Sequence, residues 1–431
     1  MTPITRVRAS FCLLPPRLPW RIFTFLSTAL FFAYHDLSEA NRNAHNYSLP
    51  THQLANNVYG SPVHHIAYIF MGLGATVLLV RGRSCRPAGG WGSLGWLLLS
   101  FVAWAFLSLI WAQDLPLTLQ RLTGFGILCI TAVAVVRTLS LRRIIQWTFF
   151  SACLFVTIGL CAELMFGTFR PSAPGYRFAG SLHPNLQGIQ CGLLLLSAVA
   201  AGHQAKVRRG LVWACAGLAI PLLLLTWSRT ALAATFLALL VYLWAVSSPR
   251  SRFLIAATLV VLASYIGVVM WSGVLTLPTT TSSHGREQPL SEDTLLYRVE
   301  IWRDVAPFVY QRPILGYGYD AFWTPPHIRL ISSDEGWGVP NGHSTYLDYW
   351  LSLGAVGLVG YVLVLTIAFA RALRLYKITH SVPFAFCAAL LVFCMVDGLL
   401  ESSVIEGSFL KFLCMVVVVH LAFLHPGDAV R

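Results

Sequence analysis

Apolar blocks of about 20 residues recur along almost the whole chain, and they constrain the fold more than any other feature of the sequence. A block of that length crosses the hydrocarbon core of a membrane as a helix, because a helix satisfies its backbone hydrogen bonds within the segment. The blocks lack the alternating pattern of a transmembrane β-barrel. Twelve spanning helices are predicted, at 19–35, 63–80, 91–111, 121–137, 144–166, 186–203, 210–227, 230–247, 253–273, 345–370, 382–400 and 408–424. The predicted fold class is therefore an all-α polytopic membrane protein.

The composition agrees with this class. Apolar residues make up 56% of the 431 residues and charged residues only 11%. A soluble domain carries about a quarter of its residues as charged types. The basic N-terminal segment is interrupted by prolines and lacks a clear cleavage site, so an uncleaved first helix is predicted rather than a signal peptide.

The net charge of +13 is explained by membrane topology. Lys and Arg accumulate in the short loops that stay in the cytoplasm, and here they occupy every alternate gap between the predicted spans. This pattern predicts that both termini are cytoplasmic. It also argues against nucleic-acid binding, which needs a basic soluble face. The basic residues in these gaps, 19 of the 30 Lys and Arg, are Arg6, Arg8, Arg17, Arg21, Arg81, Arg83, Arg86, Arg137, Arg142, Arg143, Lys206, Arg208, Arg209, Arg250, Arg252, Arg371, Arg374, Lys377 and Arg431.

The longest polar stretch, 274–344, lies on the outer side of the predicted topology. It separates a first group of nine spans (1–273) from a last group of three with a short cytoplasmic tail (345–431). Within this extracytoplasmic loop, Ser291 followed by acidic residues is a typical helix N-cap. The helix is predicted to lie on the membrane surface and to end before Pro313. The stripe predicted to face the membrane, with Arg298 at the headgroup level, is Leu295, Val299, Trp302, Ala306 and Val309.

Four patches of sequence resemble the O-antigen ligase and polysaccharide polymerase superfamily. Their order and spacing carry the resemblance, which covers roughly residues 175–370. The patches are Trp227-Ser228-Arg229-Thr230-Ala231-Leu232; Tyr297-Arg298-Val299-Glu300-Ile301-Trp302 followed by Pro313-Ile314-Leu315-Gly316-Tyr317-Gly318; Gly342-His343-Ser344-Thr345-Tyr346-Leu347 running into Leu353-Gly354-Ala355-Val356-Gly357; and Phe178-Ala179-Gly180-Ser181 with His183-Pro184-Asn185.

The resemblance implies a glycosyl transfer at the outer face of a bacterial inner membrane. The donor would be a glycan linked through diphosphate to a polyprenyl lipid. The acceptor would be a sugar hydroxyl on a lipopolysaccharide core or on a growing polysaccharide. Carried over position by position, His343 is the expected catalytic base, and Arg229 and Arg298 are the expected diphosphate ligands. The secondary candidates are Arg177, Asn185 and Arg312.

These residue types suit the reaction. Arginine is permanently charged and can fork two donors onto phosphate. Arg229 also begins a predicted helix, whose free N–H groups favour an anion. A histidine is a suitable base near neutral pH. Because the activated bond arrives with the lipid, no cofactor is expected, and the sequence contains neither a P-loop nor a dinucleotide fingerprint. No Asp-x-Asp pair is present, so no metal is expected.

Each assignment has a structural alternative. Arg229 could anchor a helix end at the membrane edge. Arg298 could pair with Asp304 or Glu300 on a solvated helix face, and His343 could cap a helix. The glycines of the tenth predicted span are expected to be close helix contacts: Gly354, Gly357 and Gly360.

Two further functions stay open at the level of sequence. A transporter or flippase of lipid-linked glycans is the first, but such proteins place ionisable residues near the bilayer midplane. The predicted spans are nearly free of charge there. A polymerase is the second, because ligase and polymerase share the donor, the face and the motif residues. The motifs favour the ligase type.

Overall fold

The computed structural model describes residues 58, 62–81, 92–173, 175–204, 209–254, 256, 295–335, 338–405 and 408–423. Within these residues the chain is helical between turns and loops and contains no strand. The long apolar blocks explain this, because a helix is the one open segment that satisfies its own backbone in lipid. The all-α class is therefore confirmed for the described part of the chain.

The helices of the described residues pack together as a bundle. In chain order they are α1 (Pro62–Arg81), α2 (Ser93–Leu107, extended by a 3-10 turn at Ser108–Ile110), α3 (Leu115–Thr138), α4 (Leu141–Met165), α5 (Pro184–Gly202), α6 (Arg209–Leu225), α7 (Arg229–Val246), α8 (Leu295–Gln311), α9 (Pro325–Glu335), α10 (Thr345–Thr379), α11 (Val382–Leu400) and α12 (Phe409–Phe423).

Seven of these helices are long and apolar enough to cross a membrane: α2 with its 3-10 turn, α3, α4, α5, α7, α10 and α11. Shorter apolar helices occupy His65–Val80, Arg209–Leu225 and Phe409–Phe423. Ten of the twelve predicted spans thus coincide with an apolar helix. The predicted span 19–35 and nearly all of 253–273 lie outside the described residues, so a total of twelve spans stays a prediction.

Close helix packing in the centre of the bundle depends on small residues. A side chain at Gly188 of α5 would place its Cβ 3.0 Å from the Cβ atoms of Ser228 and Ala231 on α7. At Gly192 the added Cβ would lie 2.2 Å from Thr235 Oγ1. α5 and α7 therefore approach each other more closely than larger residues would permit, as is common between membrane helices. This contact brings the first turns of the two helices side by side.

α10 is broken at Gly354, which was predicted to be a simple helix contact. Its φ of 68° is left-handed, a conformation that glycine adopts at little cost. An added Cβ would lie 1.9 Å from Ile314 O. The segment Pro313–Gly318 fills the break, because Tyr317 N donates to Leu351 O at 2.8 Å and Gly318 N to Ser352 O at 2.9 Å.

Two further backbone groups at the break are also satisfied. Ala355 N donates to Pro313 O at 2.8 Å, and Trp104 Nε1 donates to Leu353 O at 3.1 Å. The two patches that contain Pro313–Gly318 and Leu353–Gly357 therefore interlock. They complete each other's hydrogen bonds in the way that a broken membrane helix requires.

α8 confirms the helix predicted in the loop, but its predicted membrane-facing stripe is wrong. Tyr297, Arg298, Ile301 and Val305 are buried against the protein, whereas Val299 is 40% exposed. The buried face packs on α9 and on the start of α10. The reason is Arg298, whose pairing partner described below lies inside the protein, so the helix turns this face inward. The predicted cap at Ser291 lies outside the described residues.

Candidate functional site

Glu401, the residue that follows α11, is the centre of a buried polar cluster. Its Oε1 accepts hydrogen bonds from Arg298 Nη2 at 2.7 Å and from Asn185 Nδ2 at 2.8 Å. Its Oε2 lies 3.9 Å from Nδ1 of His343. Arg177 joins through Asn185, since its Nη2 donates to Asn185 Oδ1 at 2.9 Å. These five residues, Arg177, Asn185, Arg298, His343 and Glu401, are called the carboxylate cluster below.

Arg298 is held by two donors of its guanidinium group. Besides the bond to Glu401, its Nε donates to Leu400 O at 2.9 Å, the last carbonyl of α11. The Arg298 and Glu401 side chains are only 8% and 11% exposed. A charge-assisted pair with so little solvent around it is much stronger than a surface pair. Arg298 therefore pairs with Glu401, and not with Asp304 or Glu300 on a solvated face.

The loop before α5 positions Arg177 and Asn185. Glu163, at the end of α4, accepts hydrogen bonds from the amides of Ala179 at 2.8 Å and Gly180 at 2.7 Å. Gly180 has a φ of 62°, and an added Cβ would lie 2.7 Å from Gly159 Cα. The patch Phe178-Ala179-Gly180-Ser181 is thus a tight, anchored turn. It sets the path of the chain between Arg177 and Asn185.

His343 has a left-handed backbone with a φ of 45°, an uncommon conformation for a residue other than glycine. Its amide donates to Asn341 Oδ1 at 3.0 Å. Its ring lies 5.9 Å from the ring of Tyr297 in an edge-on arrangement. Two residues after it, the Thr345 amide and hydroxyl both donate to Glu401 O, at 3.0 and 2.8 Å. The backbone next to His343 is therefore held against Glu401, and the imidazole Nδ1 lies 3.9 Å from the carboxylate.

The charge state of Glu401 follows from these neighbours. Burial alone acts to raise the pKa of this carboxyl, but His343, Arg298 and His183 together outweigh burial and hold the pKa below its usual value of 4.5. The group is ionised at neutral pH. The cluster consequently contains a buried negative charge that is compensated by the arginine and faced by the imidazole.

Arg229 and Arg312 lie outside the network of hydrogen bonds in the cluster. Arg229 is exposed at the first position of α7 and forms no hydrogen bond or ion pair with another residue that the structure describes. Its turn adjoins the cluster, because Arg177 Nε donates to Thr226 O at 3.0 Å. The Arg229 guanidinium is thus available to a ligand at the same end of the bundle.

Arg312, in contrast, belongs to a different neighbourhood. It follows α8, so it lies about 21 Å along the helix axis from Arg298 at 1.5 Å per residue. Its Nη1 donates to Trp111 O at 3.3 Å, and its guanidinium carbon lies 5.0 Å from the centre of the Tyr317 ring. The structure therefore does not bring this secondary candidate to Glu401. It brings Arg177 and Asn185 there instead.

Glu401 and Asp348 are the residues that sequence reasoning missed. The sequence signal for Glu401 was its position at the end of an apolar block, where ionisable side chains are costly and often functional. Asp348 was signalled by an acid in the first turn of α10. Its partners are described below. In the described part of the chain, no group of three or more His, Cys, Asp and Glu side chains could hold a metal ion.

Comparison with known proteins shows a similarity over part of the chain. A comparison with curated proteins found no match. Residues 214–362 match the family model described as O-Antigen ligase, and this range contains Arg229, Arg298 and His343. The match covers about a third of the 431 residues. Arg177, Asn185 and Glu401 lie outside this range, and the structure places them in one cluster with Arg298 and His343. The resemblance in sequence is confirmed for this segment: residues 214–362 are similar to the O-antigen ligase family, in a chain whose described part contains seven helices long and apolar enough to cross a membrane.

Proposed function

We propose that the protein is a membrane glycosyltransferase that moves a glycan from a polyprenyl diphosphate onto a sugar hydroxyl. The observation that carries this proposal is the carboxylate cluster. It collects the family-type histidine and arginine, His343 and Arg298, around one ionised carboxylate. The family match supports a donor and an acceptor of these classes. A bundle that only transports a glycan has no need to hold a base in this arrangement.

The charge distribution supports an extracytoplasmic site. The cluster lies at the end of the bundle where α5, α7 and α10 begin and α4 and α11 end. At the opposite end, Arg142 and Arg209 lie in the first turns of α4 and α6, and Arg371 lies in the last third of α10. Because Lys and Arg in short loops stay in the cytoplasm, the cluster faces outward. In a bacterial inner membrane this is the periplasmic face.

In the proposed reaction, the acceptor hydroxyl oxygen attacks the anomeric carbon of the donor sugar. The bond from that carbon to the diphosphate breaks, and its electron pair leaves with the diphosphate. His343 accepts the hydroxyl proton. The carboxylate of Glu401 then stabilises the imidazolium, in the way that a buried carboxylate supports a histidine base elsewhere. Proton and charge are balanced without a redox step.

The departing diphosphate is assigned to Arg229 and Arg298. The exposed guanidinium of Arg229 lies at the first turn of α7, where free backbone N–H groups also favour an anion. Arg298 has five N–H donors, and the bonds to Leu400 and Glu401 use two of the nitrogen atoms. The remaining donors are left for phosphate. The arginines supply this charge without a metal, so a chelator is expected to leave transfer unchanged. A loss that added divalent ions restore would overturn this part of the proposal.

The test is the mass profile of polyprenyl-diphosphate-linked glycans in cells carrying His343→Ala. Accumulated long chains are expected if the protein is a ligase that hands over finished polymer, which the motifs favour. Accumulated single repeat units would identify a polymerase. An unchanged profile would contradict the enzyme proposal and favour a transporter.

His380→Ala is a matched control for this experiment. His380 is also a left-handed histidine, with a φ of 51°, but it is exposed and lies at the other end of α10. A general effect of losing a histidine with strained backbone would appear in both variants. The proposal expects a changed profile in His343→Ala alone.

A further inference from the structure

Asp348 is a buried acid that the proposed reaction does not use. It lies in the first turn of α10 and is 3% exposed. Its Oδ1 accepts hydrogen bonds from Trp323 Nε1 at 2.8 Å and from Gly342 N at 3.1 Å. Its Oδ2 accepts one from Ser402 Oγ. A carboxylate with so little solvent needs such donors, because a buried unpaired charge is costly.

Two of these donors have a particular position in the chain. Gly342 directly precedes His343, and Ser402 directly follows Glu401. The Asp348 carboxylate therefore binds Gly342, next to His343, with one oxygen. With the other it binds Ser402, next to Glu401. The two neighbours are 60 positions apart in sequence, from 342 to 402. No local element could set the separation between them.

The backbone at His343 explains why such a connection is needed. A left-handed conformation is costly for a non-glycine residue and persists only when its surroundings fix it. After His343, Thr345 is bonded to Glu401 O. Before it, Gly342 is held by the bond to Asp348 and by Trp302 Nε1, which donates to Gly342 O at 2.9 Å. Asp348 connects the two segments directly, because it accepts hydrogen bonds from Gly342 N and from Ser402 Oγ.

We propose that Asp348 is a positioning residue that fixes the imidazole of His343 against the carboxylate of Glu401 by bridging Gly342 and Ser402. The inference rests on the proposed function, in which His343 is the base. Asp348 does not touch the reacting atoms. Its role is geometric, so the number and direction of its hydrogen bonds matter more than its charge.

This role distinguishes two substitutions at the same position. Asp348→Ala removes all three acceptor contacts. Asp348→Asn keeps an oxygen that accepts from Gly342 and Trp323, and its amide can donate to Ser402 Oγ. The alanine variant is expected to lower transfer at neutral pH by about tenfold to a hundredfold, the size of a small misplacement of a catalytic group. The asparagine variant is expected to retain most of the activity.

The decisive readout is the pH profile of transfer. The groups that face His343 are the Glu401 carboxylate, the Tyr297 ring and, through Glu401, Arg298 and His183. The acidic limb of a base-catalysed transfer depends on the groups that surround the base. Separating the imidazole from the Glu401 carboxylate therefore changes the position of this limb. General damage to the fold lowers transfer by the same factor at every pH and leaves the limb in place.

The experiment uses full-length protein reconstituted in liposomes, with polyprenyl-diphosphate-linked glycan and acceptor extracted from cells that lack the protein. Glu401→Gln is the reference, because it removes the negative charge directly and should move the limb furthest. Asp348→Ala should move it in the same direction, and Asp348→Asn should not move it. Asp320→Ala is the control for the loss of an acid, since this carboxylate pairs with Arg121 at 3.4 Å and is not a member of the carboxylate cluster.

Two outcomes overturn the inference separately from the proposed function. An Asp348→Ala profile that is lowered uniformly would assign Asp348 a purely structural role, and an equal shift in Asp348→Asn would assign the effect to charge. If Asp348→Ala is not recovered in the membrane, Ser402→Ala removes one end of the bridge with a smaller change and should give the same shift. Transfer that persists in His343→Ala would refute the proposed function and this inference with it.

Discussion

The carboxylate cluster and the break in α10 both contain family-type motif residues, yet they are built from opposite kinds of contact. In the cluster, side chains contact side chains, and an ionised carboxylate is the common partner. At the break, backbone contacts backbone, and Gly354 contributes only the absence of a side chain. One set of motifs therefore serves the proposed chemistry. The other set holds the scaffold on which that chemistry stands.

The largest expected effect is at the break. Gly354→Ala would combine a left-handed φ of 68° with a Cβ placed 1.9 Å from Ile314 O. Backbone cannot move aside as a flexible side chain does, so we expect a loss of at least about 3 kcal/mol of stability. Immunoblots of membranes should show little protein, and whatever folds should transfer at a normal rate per molecule.

Gly360→Ala is the matched control at the break. It lies on the same helix, and its Cβ would meet only a Phe101 ring atom at 3.3 Å, which can shift. Nearly normal amounts of protein are expected. Equal amounts of the two variants would show that the break in α10 is not essential for folding. That result would contradict the scaffold role given to this set of motifs.

The second effect is at the cluster and separates stability from chemistry. Arg298→Ala leaves Glu401 buried without its main partner, which costs about 3–5 kcal/mol. Transfer should be abolished. Adding Glu401→Gln removes the stranded charge and should recover much of the thermal stability but none of the transfer. Recovery of both would show that Arg298 has only a structural role.

Arg303→Ala controls for the loss of an arginine from the same helix. Arg303 is exposed on α8, where single substitutions usually change stability by less than about 0.5 kcal/mol. Its transfer and thermal midpoint should stay close to those of the unsubstituted protein. A loss as large as that of Arg298→Ala would mean that the whole helix is sensitive to charge.

The smallest effect concerns acid pH. Burial acts to raise the pKa of the Glu401 carboxyl, but its interactions with His343, Arg298 and His183 hold this pKa below 4.5. The folded state therefore binds fewer protons than the unfolded state in this range. This contribution to stability is present above pH 4.5 and is lost as the pH falls through the lowered pKa. Thermal midpoints of the purified protein should fall more steeply below pH 4.5 than those of Glu401→Gln. Parallel curves would show that the cluster does not hold this charge.

The sequence predicted the spans well and the contacts poorly. Ten of the predicted spans coincide with apolar helices, since the free energy of moving a segment into lipid depends on its own residues. The stripe on α8 was wrong because its register was inferred from a membrane surface, whereas the helix packs on protein. Gly354 was interpreted as a helix contact because a break is visible only once Pro313–Gly318 is seen to fill it.

The same distinction between local sequence signals and long-range contacts applies to the candidate site. The motif residues Arg298 and His343 were found from local strings, and so were Arg177 and Asn185 as secondary candidates. Glu401, their common partner, was not predicted, because it is separated from Arg298 by 103 positions and the sequence offers many other acids as partners. Arg312 shares its sequence neighbourhood with Arg298 but ends about 21 Å from it along the helix.

From the sequence alone, an all-α membrane protein with an O-antigen ligase type of motif set could be predicted, and the described residues agree. Hydrophobicity, loop charge and short motifs are properties of contiguous residues, and no partner is needed to detect them. The tertiary structure alone decided that Glu401 gathers the motif residues, that Asp348 bridges their neighbours, and that α10 is broken. Each of these depends on which distant groups meet in a low-dielectric interior, where an unpaired charge or backbone group is too costly to leave.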